Sequence, residues 1–266
     1  MTDPAAPSPA ATLVLLRDRA TAGVEALLLQ RHSKSKFAAG DHVFAGGKVE
    51  PDDIPDDVER FCRELTTAEA MRRLGGDLGA RESIGYWVGA IREAFEEVGI
   101  LLAYTDEGAL LRFTPENRAA FVEHRAACQL DHRAFFAMLR AESLTLATDR
   151  LAYFAHWITP EESSIRFDTR FFAAVAPAGQ EPAVDGHEIV AQRWVAPAEA
   201  LESLRRREIS LRFPTIKSLE ILGAAGATAT EVVAALRGRP VPTIRPRIVV
   251  VDGRPVAVLP GDPRWY

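Results

Sequence analysis

Within Arg92-Glu93-Ala94-Phe95-Glu96-Glu97 three glutamates fall inside a single stretch that reads as helix. With Glu93 set at zero and 100° per residue, Glu96 lies at about 300° and Glu97 at about 40°. The three carboxylates share an arc of roughly 100°, while Ile91, Phe95, Val98 and Leu102 gather on the opposite side, between about 140° and 200°. Carboxylates about 5 Å apart repel by about 3 kcal/mol per pair at an effective dielectric near 20. A solvated acidic face would screen that repulsion. A divalent cation such as Mg2+ or Mn2+ would neutralise it, because these ions take hard oxygen ligands from carboxylates and substrate phosphates together. Arg92, at about 260°, stands at the edge of the cluster, where a charge-assisted hydrogen bond would brace it.

Such a helix needs a frame. Ser83 is a fair N-cap for it and Gly99 a natural end. Residues 12–16 and 24–30 are short β-type runs around a turn-rich segment, which predicts a hairpin. A loop carrying Arg31, Lys34 and Lys36 then leads to Phe44-Ala45-Gly46-Gly47. Between Pro51 and Gly85, Val58, Phe61, Cys62, Leu65, Met71 and Leu74 recur at helical spacing until Gly75-Gly76 breaks it. Residues 100–104 and 110–113 are expected to pair across Asp106-Glu107-Gly108. Thr114-Pro115 is expected to open a helix and Asp131 to cap another. Strands are predicted at 151–158, 170–175 and 189–195, helices at 197–207, 214–222 and 230–237, and a last hairpin at Asp252-Gly253. Strands and helices mixed without strict alternation suggest a sheet covered by helices on both faces. The organisation that follows is a flexible Pro- and Ala-rich tail (1–11), one domain (12–239) with helical segments at 51–85 and 114–145, and a β-hairpin extension (240–266).

The run from Arg92 to Ile100 resembles the second half of the Nudix box, Arg-Glu-apolar-x-Glu-Glu-x-Gly-apolar, with Ala94 the one soft match. Gly46-Gly47-Lys48-Val49-Glu50 resembles the loop that opens the box. The resemblance implies an α/β (by some schemes α+β) fold, a Nudix-type α/β/α sandwich with a mixed sheet and helical insertions, and a metal-dependent pyrophosphohydrolase activity. It also implies Mg2+ or Mn2+ held by Glu93, Glu96, Glu97 and the Gly46 carbonyl. A glutamate from a later loop, for which Glu188 is placed, would complete the metal site or act as base; Glu93 is the other candidate. Arg92 follows Gly47 by 45 positions, a separation far longer than in the common box. One branch of the family, which includes CoA-cleaving enzymes of peroxisomes, carries a comparable insertion. The place of the box's first glutamate, the usual structural partner of the arginine, falls on Asp53. Asp168-Thr169-Arg170-Phe171-Phe172 and Trp194-Val195-Ala196-Pro197 also resemble segments of that branch.

Leu27-Leu28, Arg31, Gly40, Phe44 and Gly46-Gly47 keep the spacing of a pattern associated with CoA-cleaving members. Leu29, His32, Lys36 and Ala45 depart from it. By that resemblance Arg31 and Lys36 would neutralise a nucleotide phosphate, and Gly46 and Gly47 would border the substrate; a solvated basic loop is the plainer alternative. His42 and His187 read first as polar loop residues. Arg205-Arg206-Arg207 reads as the cationic end of a helix, and Trp157, Trp194, Phe171 and Phe172 as core. Cys62 and Cys128 have neither disulfide nor zinc spacing, which points to a reducing cytoplasm and away from a cysteine nucleophile.

Hydrophobic residues make up 47% and charged residues 26%, with a net charge of -5. That balance argues against broad nucleic-acid binding, and no apolar run reaches the length of a membrane helix. The expected reaction is attack by an activated water on a diphosphate linkage in a small-molecule nucleotide. The candidates are CoA or acyl-CoA, an ADP-sugar, a dinucleotide or another nucleotide. A Nudix fold kept as a non-catalytic ligand-binding regulator is the reading from another class, and a homodimer is compatible with the sequence.

Overall fold

The computed structural model of the chain describes residues 5–35, 38–184, 186, 188–251 and 253–265. In chain order, β1 (Ser8–Asp18) and β2 (Val24–Arg31) are followed by the short strands β3 (His42–Val43) and β4 (Ala45–Lys48). Helix α1 (Thr67–Leu74) and the long α2 (Ala80–Val98) come next, then β5 (Ala103–Tyr104), α3 (Arg118–Leu130), α4 (Arg133–Ala141) and β6 (Thr145–Leu146). Strands β7 (Ala152–Ile158), β8 (Phe167–Val175) and β9 (Ile189–Val195) precede α5 (Pro197–Arg205), α6 (Phe213–Ala225) and α7 (Ala229–Leu236). The chain closes with β10 (Thr243–Ile244), β11 (Arg247–Val251) and β12 (Arg254–Val258).

Strand β1 is the spine of an eight-stranded mixed sheet. It runs parallel to β8 from Ser8↔Phe167 to Leu16↔Val175. Its other edge is shared: the N-terminal half pairs with β4 and the C-terminal half with β2. Strand β2 diverges to pair with β3 and β9. Both faces are covered, so the central strands are apolar throughout rather than alternating. Leu13, Leu15, Leu27, Leu29 and Phe172 pack toward α2, while Val14, Leu16, Ala26, Leu28 and Phe171 pack toward α5, α6 and α7. Trp157 is buried on the second face, and Trp194 is partly buried under the Arg17 guanidinium, 4.4 Å from its ring. Among the described residues no single helix is long and apolar enough to cross a membrane.

Several boundaries differ from expectation. Strand β1 starts at Ser8, so residues 8–11 of the expected tail are sheet. Ala10 and Ala11 are buried, and Ala11 sits between Gly47 of β4 and Arg170 of β8. Of the helical segment expected over 51–85, residues 80–85 belong to α2; residues 51–79 form an excursion of separate pieces, with 3-10 turns at Pro51–Asp53 and Val58–Phe61 before α1. The chain leaves helical geometry after Phe61 because the Arg63 amide donates to the Leu146 carbonyl of β6 (3.0 Å) and Glu64 takes a positive φ. Helix α2 begins at Ala80 with Gly79 as N-cap, and Ser83 lies inside it, its hydroxyl donating back to the Gly79 carbonyl at 2.9 Å. Helix α3 runs from Arg118 rather than from Pro115; residues 115–117 form a turn leading into it, with the Thr114 amide donating to the Asn117 side chain at 2.8 Å and the Arg118 amide to the Thr114 carbonyl at 3.0 Å. The C-terminal extension is more than a hairpin: β10 adds a parallel edge strand beside β7. The expected hairpin is present as β11–β12, closing at Val251↔Arg254; Asp252 lies outside the described residues.

The excursion docks on α2 through two glycines. A methyl carbon at Gly85 would lie 2.9 Å from Ile54 Cγ1 and 3.0 Å from Val49 Cγ1, and one at Gly89 would lie 3.1 Å from Asp53 Oδ2. Substituting Gly85→Leu is therefore expected to lower stability by about 1–3 kcal/mol through overpacking, read as a lower urea midpoint. An unchanged midpoint would contradict this docking.

Candidate active site

Arg92 is fully buried, and all five of its N–H groups are used. Nε donates to Asp53 Oδ1 (2.7 Å), and Nη2 to Asp53 Oδ2 (3.1 Å) and the Lys48 carbonyl (2.8 Å). Nη1 donates to Glu93 Oε1 (2.9 Å) and Glu96 Oε2 (3.1 Å). A buried guanidinium is tolerable only when so compensated. Asp53 therefore occupies the bracing position that the family pattern gives to a glutamate. Burial pushes the Asp53 carboxyl up, and its bonds to Arg92 oppose that shift.

The carboxylate face meets the sheet at the Gly-Gly pair. Glu97 Oε2 accepts from the Gly46 amide at 3.0 Å, which brings both ends of the excursion together as the loop geometry requires. A methyl carbon at Gly46 would lie 2.4 Å from the Ala11 carbonyl oxygen, and one at Gly47 would lie 2.6 Å from the Glu93 carboxylate. Glycine is required at both positions for close approach, since neither has a positive φ. Burial first, and then repulsion from Glu93, hold the Glu97 carboxyl well above the usual range. Glu93 is raised to about 7, mainly by burial. Two desolvated carboxylates one helix turn apart form a hard-oxygen donor pair lacking enough positive charge, and such a pair fits a divalent cation.

Of the three carboxylates expected to cluster, Glu93 and Glu96 share Arg92 Nη1. Glu96 also faces His132, whose Nδ1 is 3.4 Å from Glu96 Oε1, while Glu93 and Glu97 lie against the Gly-Gly strand. Among the described residues no group of three or more His, Cys, Asp or Glu side chains converges in a metal-ligating cluster. Glu188 reaches the neighbourhood from the start of β9, where its charge adds to the repulsion felt by Glu97. It forms a short ion pair with Arg31, so the two residues read separately as base and phosphate contact stand together here. Lys36 and His187 lie outside the described residues. His42 is buried in β3, its imidazole pushed toward the neutral form by burial and then by Arg193. Burial lifts the Cys62 and Cys128 thiols to about 12, so neither supplies a thiolate near neutral pH. His132, from the helical segment after the box, was not legible beforehand, because nothing in its local sequence ties it to Glu96.

A mixed sheet with a carboxylate helix laid across a Gly-Gly strand is the arrangement of a Nudix fold. Among solved structures the chain is similar to a NUDIX hydrolase from Alicyclobacillus acidocaldarius, with a TM-score of 0.68 and 27% identity, covering 88% of this chain and 99% of that one. The chain belongs to the family described as the NUDT19 Nudix domain, whose model matches residues 68–222. It is 28% identical over 235 residues to the acyl-coenzyme A diphosphatase NUDT19 of Xenopus laevis, covering 76% of this chain and 60% of that protein. It is 27% identical over 274 residues to the Homo sapiens protein of the same name, covering 90% of this chain and 72% of that protein. The match to the Gallus gallus relative likewise spans 60% of that protein's length.

Two outcomes follow from the site's electrostatics. Asp53→Ala leaves two buried N–H groups of Arg92 without their acceptors and is expected to cost about 2–5 kcal/mol in urea unfolding, with Asp53→Glu losing about half of that or less. Equal losses in the two variants would argue against the pairing. The Glu93 carboxyl binds its proton more tightly folded (about 7) than at its ordinary value of 4.5. The stability it contributes is present at low pH and lost as pH rises through the folded value. In chelator, the melting temperature should fall between about pH 5 and about pH 8, and added Mg2+ should restore it. A flat or rising profile in chelator would contradict the burial of these carboxylates.

Proposed function

We propose that the chain hydrolyses the diphosphate linkage of CoA or an acyl-CoA, yielding a phosphopantetheine product and adenosine 3′,5′-bisphosphate. The observation that carries this reading is the pair of carboxylates, the half-buried Glu93 and the buried Glu97, set against Gly46-Gly47 in a chain of the NUDT19 Nudix family. The names of the Xenopus laevis and Homo sapiens relatives support the substrate class.

Mg2+ or Mn2+, held by Glu93 and Glu97 with Gly46 at the rim, would offset charge on the non-bridging oxygens and on the leaving phosphate. The chain's own groups do the rest. The Gly46 amide fixes one oxygen of Glu97, and Arg92 fixes one oxygen of Glu93. Glu96 serves mainly to anchor Arg92 and His132. Glu188, with a side chain 53% exposed against 14% for Glu93, is the proton acceptor we favour. Arg31, whose buried Nε has no partner among the described residues, would bind a substrate phosphate while keeping Glu188 nearby.

A hydrolysis panel of CoA, acyl-CoAs, NADH, ADP-ribose and nucleoside triphosphates with Mg2+ or Mn2+ tests the reading. CoA or an acyl-CoA should be preferred, and Glu97→Gln should lower kcat by about a hundredfold or more. Activity of that variant within about threefold of the parent would remove Glu97 from the site. Arg31→Ala should raise KM for CoA by about tenfold through the lost phosphate contact and should also lower kcat, because Glu188 loses its ion-pair partner. Preference for ADP-ribose or a dinucleotide would move the substrate class. Tight CoA binding without turnover would indicate a binding module.

A further inference from the structure

The carbonyls of the last turn of α2 outrun the helix's own amides; the C-cap glycine closes on the first of them, and other parts of the chain take the rest. The Gly99 amide donates to Phe95 (2.9 Å), and the Ile100 amide reaches back to Ala94 (3.3 Å), which closes the turn at a glycine with φ 69°. The Ala183 amide donates to Val98 at 2.9 Å. The remaining two, Glu96 and Glu97, are bound by one side chain from α3. Arg125 Nε donates to the Glu96 carbonyl (2.9 Å) and Nη2 to the Glu97 carbonyl (2.7 Å). Its Nη1 donates to the Ala183 carbonyl at 2.7 Å. Gln129 adds a second bond to the Glu96 carbonyl at 2.6 Å.

One guanidinium thus joins the turn that carries Glu97 to the backbone at Ala183, a short way before Glu188 in the chain. Glu188 itself is held by the His32 amide, which donates to its carbonyl at 2.9 Å. A cation at Arg125 also faces the negative end of the helix dipole. Gly99 leaves the room it needs, since a methyl carbon there would lie 3.3 Å from Arg125 Nη1.

We propose that Arg125 is a positioning residue for the diphosphate hydrolysis inferred above, holding the Glu97 turn and the Ala183 backbone in one register so that Glu188 meets the site at a fixed separation. It touches no reacting atom, so its loss should change how Glu188 is placed rather than how substrate binds. The proposal rests on the functional reading for its kinetic effect, but the clamp itself has a readout that needs no turnover.

The test uses the full chain with Arg125→Met, Arg125→Lys, Glu188→Gln and the Arg125→Met/Glu188→Gln double variant. With Mg2+ and CoA, Arg125→Met should lower kcat about tenfold or more, a loss typical of misplaced catalytic groups, with KM within about threefold. Arg125→Lys, which keeps the charge but not the fork, should fall between. In the Glu188→Gln background, Arg125→Met should add less than about threefold, because both act through one group. Losses that multiply in full, or an Arg125→Met enzyme within about twofold of the parent, would overturn the proposal. Amide hydrogen exchange should rise in residues 176–184 of the Arg125→Met protein while residues 86–92 keep their protection. Unchanged exchange in 176–184 would overturn the clamp, whereas a parent without turnover would overturn the functional reading alone. If Arg125→Met fails to fold, Arg125→Lys carries the same comparisons.

Discussion

A single guanidinium, fully withdrawn from water, fixes the geometry on which everything else rests. Arg92 spends its five N–H groups on Asp53, Glu93, Glu96 and the Lys48 carbonyl. It thereby binds the end of β4, the first turn of the excursion and two successive turns of α2 to one point. Removing any one of these acceptors leaves a desolvated donor, so the arrangement is specified as a unit. The charge balance matters as much as the geometry. One cation faces Asp53, Glu93 and Glu96 directly, and Glu97 lies beyond its reach. Three carboxylates thus share one cation and Glu97 adds a fourth beside the Gly-Gly strand, so Glu93 and Glu97 together would give a divalent cation both a reason to bind and the oxygen donors to hold it.

The surrounding architecture brings those carboxylates to the sheet and keeps them there. Two glycines in succession on β4 let α2 approach until the backbone of the strand touches the side chains of the helix. The continuous apolar strands beneath hold that face in place. Phe172 of β8 packs against Trp87 of α2 with ring centroids 4.8 Å apart, less than two helical turns before Glu93. The far end of the same helix is finished by residues from α3 and from the segment before β9, so both ends of α2 are anchored by parts of the chain distant in sequence.

Much of this was legible in the sequence, and the limits have physical reasons. The helix with Glu93, Glu96 and Glu97 on one arc, β9 and the helices after it follow from local spacing and caps, whereas Gly46-Gly47, expected as a loop, lies in β4. The turn of Glu96 away from the sheet does not follow from local spacing. About 60° around a helix is enough to direct one carboxylate to Arg92 and His132 instead of to the sheet, and the choice is made partly by a residue 36 positions away. The Asp53–Arg92 pair spans 39 positions and was legible only through the family pattern. Strands β3, β4 and β10 are too short to carry a periodicity and exist because longer neighbours pair with them. The Ser8–Ala11 segment looks like a tail because alanine and proline are poor strand formers, yet two partners hold it in the sheet. The coupling of Arg31 to Glu188 joins residues 157 positions apart, and no local signal announces it.

Cation binding between Glu93 and Glu97 is tested most directly by a crystal structure of the protein grown with Mn2+, with anomalous scattering recorded. An anomalous peak is expected at ordinary oxygen-ligand distance, about 2.0–2.6 Å, from carboxylate oxygens of both Glu93 and Glu97. A fully bound Mn2+ that sits elsewhere, or a saturated crystal with no peak beside these two residues, would contradict it.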